Sequence, residues 1–424
     1  MKSLFLSIAV TGLALCRASA AGLAESEPAA SLSFAQAWSR VQQHNPRLAA
    51  ARQDVMAADS SLIQAGALPN PQVSLESENF GGSRQAARWD EAENTLKITQ
   101  PLETGGKRQA RKAEARAGKA LSQASLELHR LELWATLAES YTEALASREK
   151  QALAEDDARL ARERRDAVAA RVQAGKAPPQ EEKRASVEAE MAQAALETAK
   201  GQATLAQHRL AALWGQPRPV FRSLEGRLDT ITEMKLPDPI AETNAIQPDL
   251  ILAQREYSAR EAALKREQSQ ARPNVELSAG IRHFESGGGY AWQGEIAFPL
   301  PLFDRNRGGI QKARHELESA RHLQQATLLN LTLEQDALTT AAETQWRTIT
   351  VLRDRALPAA RDAMQTTKTG YESGKFSYLD WVDSERSFVS LRSQWIDTLA
   401  AYHKTLAALG RLTGNTDSFT LFQP

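Results

Sequence analysis

The chain carries the same sequence pattern twice, and this duplication constrains its fold more than any other feature. Short motifs of the first half recur in the same order 198 to 203 residues further along. The matched pairs include Pro71–Leu75 with Pro273–Leu277, Pro101–Leu102 with Pro299–Leu300, Gly105–Gly106 with Gly308–Gly309, and Gly175–Lys176 with Gly374–Lys375. Such a colinear series indicates an internal repeat. We therefore predict structural units at 21–215 and 244–414, a linker at 216–243 and a tail at 415–424.

Each unit is predicted to contain a helix, a β-hairpin and a pair of long helices, in that order. The hairpins, at about 71–101 and 273–300, are indicated by alternation of apolar and polar residues. In the second hairpin the apolar positions are Val275, Leu277, Ala279 and Ile281 on the first strand and Trp292, Ile296 and Phe298 on the second. This alternation fits a barrel wall between lipid and water, and it also fits a soluble two-sided sheet.

The helices after each hairpin are unusually long. The stretch from Lys107 to Gln173 predicts one helix of about 100 Å, at about 1.5 Å per residue. Apolar residues in it step alternately by three and four, which is the spacing of a coiled-coil seam. They are Leu131, Trp134, Ala138, Tyr141 and Leu145. On the next helix we place small seam residues at Ala194, Thr198 and Gly201. A rod of this length suits a protein that crosses a compartment.

The N-terminus predicts an export signal over residues 1–20. Lys2 precedes a short apolar run, and small residues at 18–20 offer a cleavage site after Ala20. The run is shorter than the roughly 20 residues that a membrane-spanning helix needs. Cys16 follows a leucine, which does not suit a lipoprotein signal, so we expect its removal with the signal; lipidation of Cys16 is the alternative.

Composition excludes several classes of function. The chain has 52 basic and 52 acidic side chains, a balance that argues against a nucleic-acid partner. Its seven histidines are scattered, and His315 and His322 are expected to be an ordinary helix-surface pair. No catalytic motif is present. We therefore expect no cofactor, no bound metal and no enzymatic activity.

Membrane insertion would require a closed β-barrel, because no segment after the signal has 18 consecutive apolar residues. Two hairpins provide four strands, whereas even a filled barrel needs about eight. Closure would therefore need several chains. Three copies would give a twelve-stranded barrel around water.

The second helical turn carries a recognisable motif. Residues 370–383 read Gly-Tyr-Glu-Ser-Gly-Lys-Phe-Ser-Tyr-Leu-Asp-Trp-Val-Asp. With the duplicated plan, this segment resembles the tip motif of TolC-like outer membrane efflux proteins, and the resemblance covers nearly the whole mature chain. It implies a mainly α fold with a β-barrel part. Long coiled-coil hairpins would lie in the periplasm, and a homotrimer would complete a 12-stranded barrel in outer-membrane lipid.

Two segments resemble the heavy-metal, CzcC-like branch of that family. Residues 100–108 and 299–310 lie where a strand leads into a long helix, and we expect them to form bends in which Arg and Asp pair. The resemblance implies an outer membrane channel that docks to a periplasmic adaptor and an inner-membrane RND pump and exports heavy-metal cations.

The resemblance also points to functional residues at the two helical turns. Asp380 and Asp383 would ring the periplasmic mouth of a trimer, attract cations and help to hold the mouth shut. A local alternative is a capping box formed by Ser377 and Asp380. Five residues mark the tips, either for adaptor docking or simply as tight turns. They are Gly175, Lys176, Gly374, Lys375 and Phe376.

Other functions fit parts of the pattern. A duct for drugs or for type I protein secretion would share the architecture. A periplasmic adaptor also has helical hairpins, and a soluble coiled-coil scaffold would share the seams. An adaptor lacks two separated β-hairpins and a whole-chain duplication, and fractionation would distinguish a soluble scaffold from an outer-membrane duct.

Overall fold

The computed structural model describes residues 31–81, 89–231 and 247–416. Several predicted features lie outside these ranges. They are the signal peptide 1–20 with Cys16, part of the first hairpin loop at 82–88, linker residues 232–243, and tail residues 417–424.

Helices make up most of the described chain. They are α1 (Phe34–His44), α2 (Pro46–Ala65), α3 (Lys107–Gln173), α4 (Pro179–Ala212), α5 (Pro248–Gln270), α6 (Arg307–Val351), α7 (Leu357–Glu372) and α8 (Tyr378–Thr413). The predicted 107–173 helix is α3, which at 67 residues is about 100 Å long. Among the described helices, none combines the length and the apolarity needed to span a bilayer.

Asn45 and Pro46 separate α1 from α2. The Asn45 side chain accepts a hydrogen bond from the amide of Leu48 at 3.0 Å, and Pro46 occupies the first turn of α2. This is an ordinary helix start, because proline there loses no intrahelical hydrogen bond.

The strands form two sheets. They are β1 (Ser31–Leu32), β2 (Gln72–Glu78), β3 (Glu93–Leu102), β4 (Ser223–Leu224), β5 (Val275–Phe284) and β6 (Gly289–Ala297). The short β1 and β4 pair in parallel, and the other four form one antiparallel sheet in the order β2-β3-β5-β6. The two predicted hairpins therefore join through the β3–β5 pair into one sheet. Strand β6 ends at Ala297, so Phe298, which we expected to continue the strand, lies beyond it.

The main core lies along the middle of α3, where it packs against the C-terminal half of α8 and against α1. The predicted seam residues Trp134, Ala138, Tyr141 and Leu145 are all buried there. Described linker residues 216–231 also join this core, since Phe221, Leu224 and Leu228 are buried.

The predicted seam of α4 is wrong for a single copy of the chain. Ala194, Thr198 and Gly201 are exposed. A different stripe of α4 packs inward. It consists of Ala185, Ala189, Ala192, Leu196, Ala203, Ala206 and Leu210. Because α4 is rich in alanine on several faces, small residues alone did not identify the stripe that packs.

The second long helical arm is interrupted, which the seam pattern did not predict. Leu352–Ala356 form one π-helical turn between α6 and α7, and Pro358 follows in the first turn of α7. Proline removes a backbone donor and clashes with the preceding turn, which explains a break at this position.

The expected Arg–Asp pairing in the two bends was wrong in detail. In the first bend Arg111 pairs with Glu103. In the second, Asp304 accepts from the backbone amide of Asn306 at 2.9 Å, and Arg305 donates to the carbonyl of Pro301 at 3.0 Å. An Arg–Glu ion pair therefore braces the first bend, and side-chain hydrogen bonds to the backbone brace the second.

Candidate functional site

Two equivalent turns end the long helical arms. In each, a glycine adopts a left-handed conformation, with φ of 68° at Gly175 and 78° at Gly374. The amides of Lys176 and Lys375 donate to carbonyls five residues earlier, at 2.8 Å in both turns. This is the Schellman closure, which favours glycine because it needs no Cβ.

The chain leaves the two turns differently. Pro178 and Pro179 lead into α4, whereas Ser377 caps α8. Phe376 lies against Gly370 so closely that a Cβ there would come within 2.0 Å of the phenylalanine ring. The tip residues Gly175, Lys176, Gly374, Lys375 and Phe376 are all exposed, so a partner could reach them.

The two aspartates differ in their contacts. Asp380 completes a capping box, accepting from the Ser377 amide at 2.9 Å and from its hydroxyl at 2.7 Å. These bonds hold the pKa of Asp380 below its ordinary value. Asp383 lies three residues further on and is exposed. The capping box, which was the local alternative to a role at the mouth, is therefore present at Asp380. Asp380 is nevertheless exposed to solvent.

A buried cluster of charges joins the two helical hairpins above the tips. Arg164 of α3 donates to Glu385 of α8 at 2.5 Å and to Glu188 of α4 at 3.1 Å. The hydroxyl of Tyr378 donates to Glu188 at 2.8 Å. Burial raises the pKa of Glu385, although the adjacent Arg164 opposes the shift. We call Arg164, Glu188, Tyr378 and Glu385 the tip clamp.

A second contact lies closer to the turns. The guanidinium of Arg171 stacks 4.7 Å from the ring centre of Tyr371 and donates to the carbonyls of Tyr371 and Glu372. The Tyr371 hydroxyl donates to Glu181 of α4 at 3.0 Å, and burial raises the pKa of Tyr371 to about 12. These contacts connect the two helical hairpins close to their turns.

Sequence reasoning missed these contacts. None of the sequence motifs includes Glu181, which accepts from Tyr371, or Asp156, which contacts Arg392 at 3.4 Å. The available signal was weak, because Arg164 and Glu385 are 221 residues apart. The one local indication that Arg164 is buried was its spacing from Ala161 and Val168, which places all three on one face of α3.

The four-stranded sheet has two contrasting faces. One is apolar, and its large side chains are exposed in a single copy of the chain. They include Val73, Leu75, Leu96, Ile98, Leu277, Trp292 and Ile296. Exposed apolar surface of this extent marks a face that meets lipid or another protein.

The opposite face of the sheet is polar and acidic. Its register brings together five carboxylates and two cations, a net of three negative charges. They are Glu76, Glu78, Glu93, Glu276 and Glu295, with Lys97 and Arg282. Arg282 pairs with Glu93 at 2.5 Å, and Lys97 reaches Glu295 at 3.2 Å. Such a face attracts cations without any single tight binding site.

Within the described ranges, no group of three or more His, Cys, Asp or Glu side chains could hold a metal ion. The acidic residues of the sheet and the tips are spread along surfaces instead.

Comparison with known proteins gives a consistent result. The family described as outer membrane efflux protein matches residues 37–216 and 240–415, in two blocks. The cobalt-zinc-cadmium resistance protein CzcC of Cupriavidus metallidurans is 30% identical over 391 residues, which cover 92% of this chain and 91% of that protein.

Solved structures show the same fold. The outer membrane protein VceC of Vibrio cholerae superposes with a TM-score of 0.75 at 21% identity, covering 90% of this chain and 96% of VceC. CusC, described as forming a transmembrane channel, superposes with a TM-score of 0.75 at 18% identity, covering 90% and 92% of the two chains.

Proposed function

Because the chain belongs to the outer membrane efflux protein family, we propose that it is the outer-membrane duct of an efflux system that exports heavy-metal cations. The predicted TolC-like fold, the internal duplication and the resemblance to the heavy-metal branch are confirmed. The protein acts at the outer membrane, with its helices forming a periplasmic tunnel. We further propose that it is passive and not an enzyme, and that residues 1–20 are removed on export.

The observation that carries this proposal is the two-faced sheet. One face exposes large apolar side chains, and the other has a net of three negative charges. In a barrel wall the first face would contact lipid and the second would line water. An acidic lumen favours the passage of cations.

The sheet also supports a homotrimer. In the described part of the chain, β2 pairs only with β3 and β6 only with β5, so both outer edges are open. Open edges within a bilayer are costly because their backbone groups cannot bind water. Pairing the edges of three copies would remove them and complete the predicted twelve-stranded barrel.

The tips fit a periplasmic end. Because α3 extends about 100 Å at about 1.5 Å per residue, its C-terminal turn lies far from the sheet. We propose that the exposed turns at Gly175–Lys176 and Gly374–Phe376 bind the periplasmic adaptor, which joins the duct to an inner-membrane RND pump. Asp380 and Asp383 would form the acidic mouth, and the tip clamp would hold the two helical hairpins together there.

The cargo is proposed from the CzcC relative, whose name specifies cobalt, zinc and cadmium resistance, and from the acidic sheet face. A cell that lacks only this chain should accumulate these cations and become sensitive to them. Re-expression should restore efflux, measured as the loss of cadmium or cobalt from preloaded cells. Unchanged metal retention after deletion would contradict the proposal.

The same deletion separates the alternative functions. A drug duct would leave metal retention unchanged and raise drug sensitivity, and a secretion duct would block export of a protein. A periplasmic adaptor or scaffold would fractionate away from the outer membrane, whereas we expect the chain to be recovered there.

A further inference from the structure

One end of the large sheet is where its strands meet the long helices. Helices α2 and α5 lead into β2 and β5 there, and β3 and β6 lead into α3 and α6. The register places these junctions side by side, with Leu102 opposite Val275 and Ala297 opposite Glu276. We call this the helix-side end of the sheet.

Exposed apolar side chains mark the helix-side end. Leu102 and Phe298 are 44% and 56% exposed, and Phe303, just beyond β6, is 99% exposed. In the proposed barrel these side chains continue the lipid-facing band to the point where the helices begin. The first turns of α3 and α6 therefore lie at the level of the lipid headgroups.

The chain segments around the helix-side end are strongly basic. Residues 103–116, 265–274 and 304–316 together contain twelve basic and five acidic side chains, a net of seven positive charges. The whole chain, in contrast, is balanced, with 52 of each. A local excess of this size attracts anions to the surface.

Some of these cations are paired on the polar side of the junction. Arg111 pairs with Glu103, and Arg266 of α5 contacts Glu114 of α3 at 3.1 Å. These four side chains line one groove between α2, α3 and α5. Leu102 lies on the apolar face of the sheet, so alternation places the next residue, Glu103, and the groove on the polar side.

Six other cations have no carboxylate within 4.0 Å in the described part of the chain. All are exposed or half-buried, and we call them the collar cations. They are Arg108, Lys112 and Arg116 on α3, Arg272 just after α5, and Arg307 and Arg314 on α6. They account for most of the net positive charge at the helix-side end.

On α3 the collar cations lie away from the groove. Two residues along a helix correspond to about 160° around its axis, so Arg116 lies opposite Glu114. Lys112 and Arg108 precede Arg116 by about one and two turns and follow the same side of the helix. Arg108 donates to the carbonyl of Gly66 at 2.8 Å and remains exposed. These cations therefore lie on the side of α3 that continues the apolar face of the sheet.

The same separation occurs on α6. Lys312 contacts Glu316 at 3.8 Å, and Arg314, midway between them in sequence, projects from the opposite side of the helix. Arg307 comes about two turns before Arg314, on the same side. Both long helices therefore separate paired cations from unpaired ones.

The collar cations can reach the headgroup layer. Arg116 and Arg314 come nine and seven residues after the starts of α3 and α6, which is about 10–14 Å at about 1.5 Å per residue. Side chains on a helix tilt toward its N-terminus, which here is the membrane end, and long cationic side chains extend toward an interface. A guanidinium also binds a phosphate through two parallel hydrogen bonds.

We propose that the collar cations bind the phosphate groups of anionic phospholipids in the leaflet of the outer membrane that faces the periplasm. The six cations provide the complementary charge, and the exposed apolar side chains next to them contact the acyl chains. This inference rests on the proposed function, because it needs the sheet to lie in the membrane. It goes beyond that function by naming the class of lipid and the residues that bind it.

Thermal unfolding of the purified protein in a neutral detergent, with lipid titrated in, tests the proposal. Phosphatidylglycerol should raise the unfolding temperature, because a ligand that binds the folded state stabilises it. Phosphatidylcholine with the same acyl chains has no net charge and should raise the temperature much less. Added salt should weaken the effect of phosphatidylglycerol. Equal stabilisation by the two lipids would overturn the inference.

Charge-removing variants locate the site. Arg272→Gln, Arg307→Gln and Arg314→Gln combined should raise the phosphatidylglycerol concentration for half-maximal stabilisation by about tenfold or more. Lysine at the same three positions keeps the charge and should retain most of the affinity. The matched control removes three exposed cations near the tips and the π-helical turn that also have no carboxylate within 4.0 Å in the described ranges. They are Lys183, Arg184 and Arg355, each changed to Gln.

The control variant should bind phosphatidylglycerol as the unchanged protein does. Equal losses of affinity in the control and in the collar variant would show a general effect of net charge and would overturn the assignment. An unchanged affinity in the collar variant would overturn it as well.

Other occupants of the collar give different results. If inorganic phosphate stabilises the protein as much as phosphatidylglycerol does at equal phosphate, the cations bind a free anion and the inference is wrong. If the collar variant no longer forms trimers in detergent without added lipid, the occupant is a second copy of the chain, which also overturns the inference.

Failure of the inference can be distinguished from failure of the proposed function. Normal outer-membrane recovery and normal metal efflux, together with equal stabilisation by the two lipids, would overturn the inference alone. A protein recovered only in the soluble fraction would contradict the proposed function instead.

Discussion

At the scale of residues, the tip clamp places a buried arginine between two carboxylates from different helices. The side chains of Arg164 and Glu385 are 6% and 5% exposed, and one oxygen of Glu385 has no hydrogen-bond partner in the described structure. Charges buried this deeply contribute little net stability when paired, but breaking the pair is costly. The clamp therefore penalises any arrangement of the helical hairpins that leaves Arg164 buried without its carboxylate partners.

Removing one member of the clamp should loosen the tips. Glu385→Ala leaves Arg164 buried with one partner fewer, and we expect a loss of about 3 kcal/mol in the free energy of unfolding. Thermal unfolding by circular dichroism and protease cleavage near the tips would measure it. The double variant Arg164→Met, Glu385→Leu removes both charges and should recover much of the loss. A double variant less stable than Glu385→Ala would contradict this account.

Asp380 and Asp383, the aspartates of the proposed mouth, should respond differently to substitution. Asp383→Asn should reduce the preference of the pore for cations while leaving α8 intact. Asp380→Asn should also free the first turn of α8, since Asp380 accepts two hydrogen bonds from Ser377. Single-channel reversal potentials and hydrogen exchange at 377–381 would separate these effects. Equal exchange rates in the two variants would show that the capping contact is unimportant.

The cap should also depend on pH. The Ser377 hydrogen bonds lower the pKa of Asp380 in the folded chain. A carboxyl with a lowered folded pKa stabilises the fold above its unfolded pKa, about 3.9, and this contribution is lost as the pH falls through the folded value. Hydrogen exchange at the start of α8 should therefore accelerate in acid, and Ser377→Ala should reduce this dependence. An unchanged pH profile in Ser377→Ala would contradict the assignment.

Local residue chemistry was predictable from the sequence, and contacts between distant segments were not. The capping box at 377–380 and the glycine turns depend on neighbours within five residues, so their motifs indicated them. The tip clamp brings together α3, α4 and α8, and nothing in the local spacing around Glu188 or Glu385 distinguishes a buried carboxylate from a solvated one.

At the scale of elements, the sheet depends on one glycine at its centre. Gly280 lies opposite Lys97, whose side chain crosses β5 to reach Glu295 on β6. A Cβ on Gly280 would lie 2.8 Å from the carbonyl oxygen of Leu96. The missing side chain therefore lets the strands approach and lets the ion pair cross them.

Substitution of Gly280 should impair the sheet. Gly280→Val places a branched side chain against the Leu96 carbonyl and across the path of Lys97, so we expect less protein to assemble in the membrane. The matched control is Gly294→Val on β6, because a Cβ at Gly294 meets nothing within 4 Å. Heat-resistant oligomer on gels would quantify both. Equal yields would show that the close approach at Gly280 is not required.

The helices and strands were predicted well where apolar residues recur at a regular spacing, and less well where several faces of one helix have similar residues. The repeat and the alternation located all four strands of the large sheet, and the span of α3 was predicted to the residue. The packed stripe of α4 was not, because alanine occurs on its exposed positions too. The π-helical turn before α7 was signalled only by Pro358.

At the scale of the whole molecule, a single chain exposes several surfaces of the kind that usually contact other molecules, and long helices connect them. The large sheet has two open edges, an apolar face and an acidic face, and the tips present exposed turns. In the proposed function, lipid, other copies of the chain and an adaptor would cover these surfaces. The duplication provides the internal β3–β5 junction, and in the proposed trimer it would provide a related junction between copies.

The central claim, that copies of this chain enclose a water-filled path lined by the acidic face, is tested most directly by the reversal potential of purified protein in planar bilayers under a salt gradient. We predict ion conduction with a reversal potential of the sign that indicates cation selectivity, reduced when Glu76 and Glu276 are both changed to Gln. Membranes that contain the protein but conduct no ions, or a reversal potential of the anion-selective sign, would contradict the account.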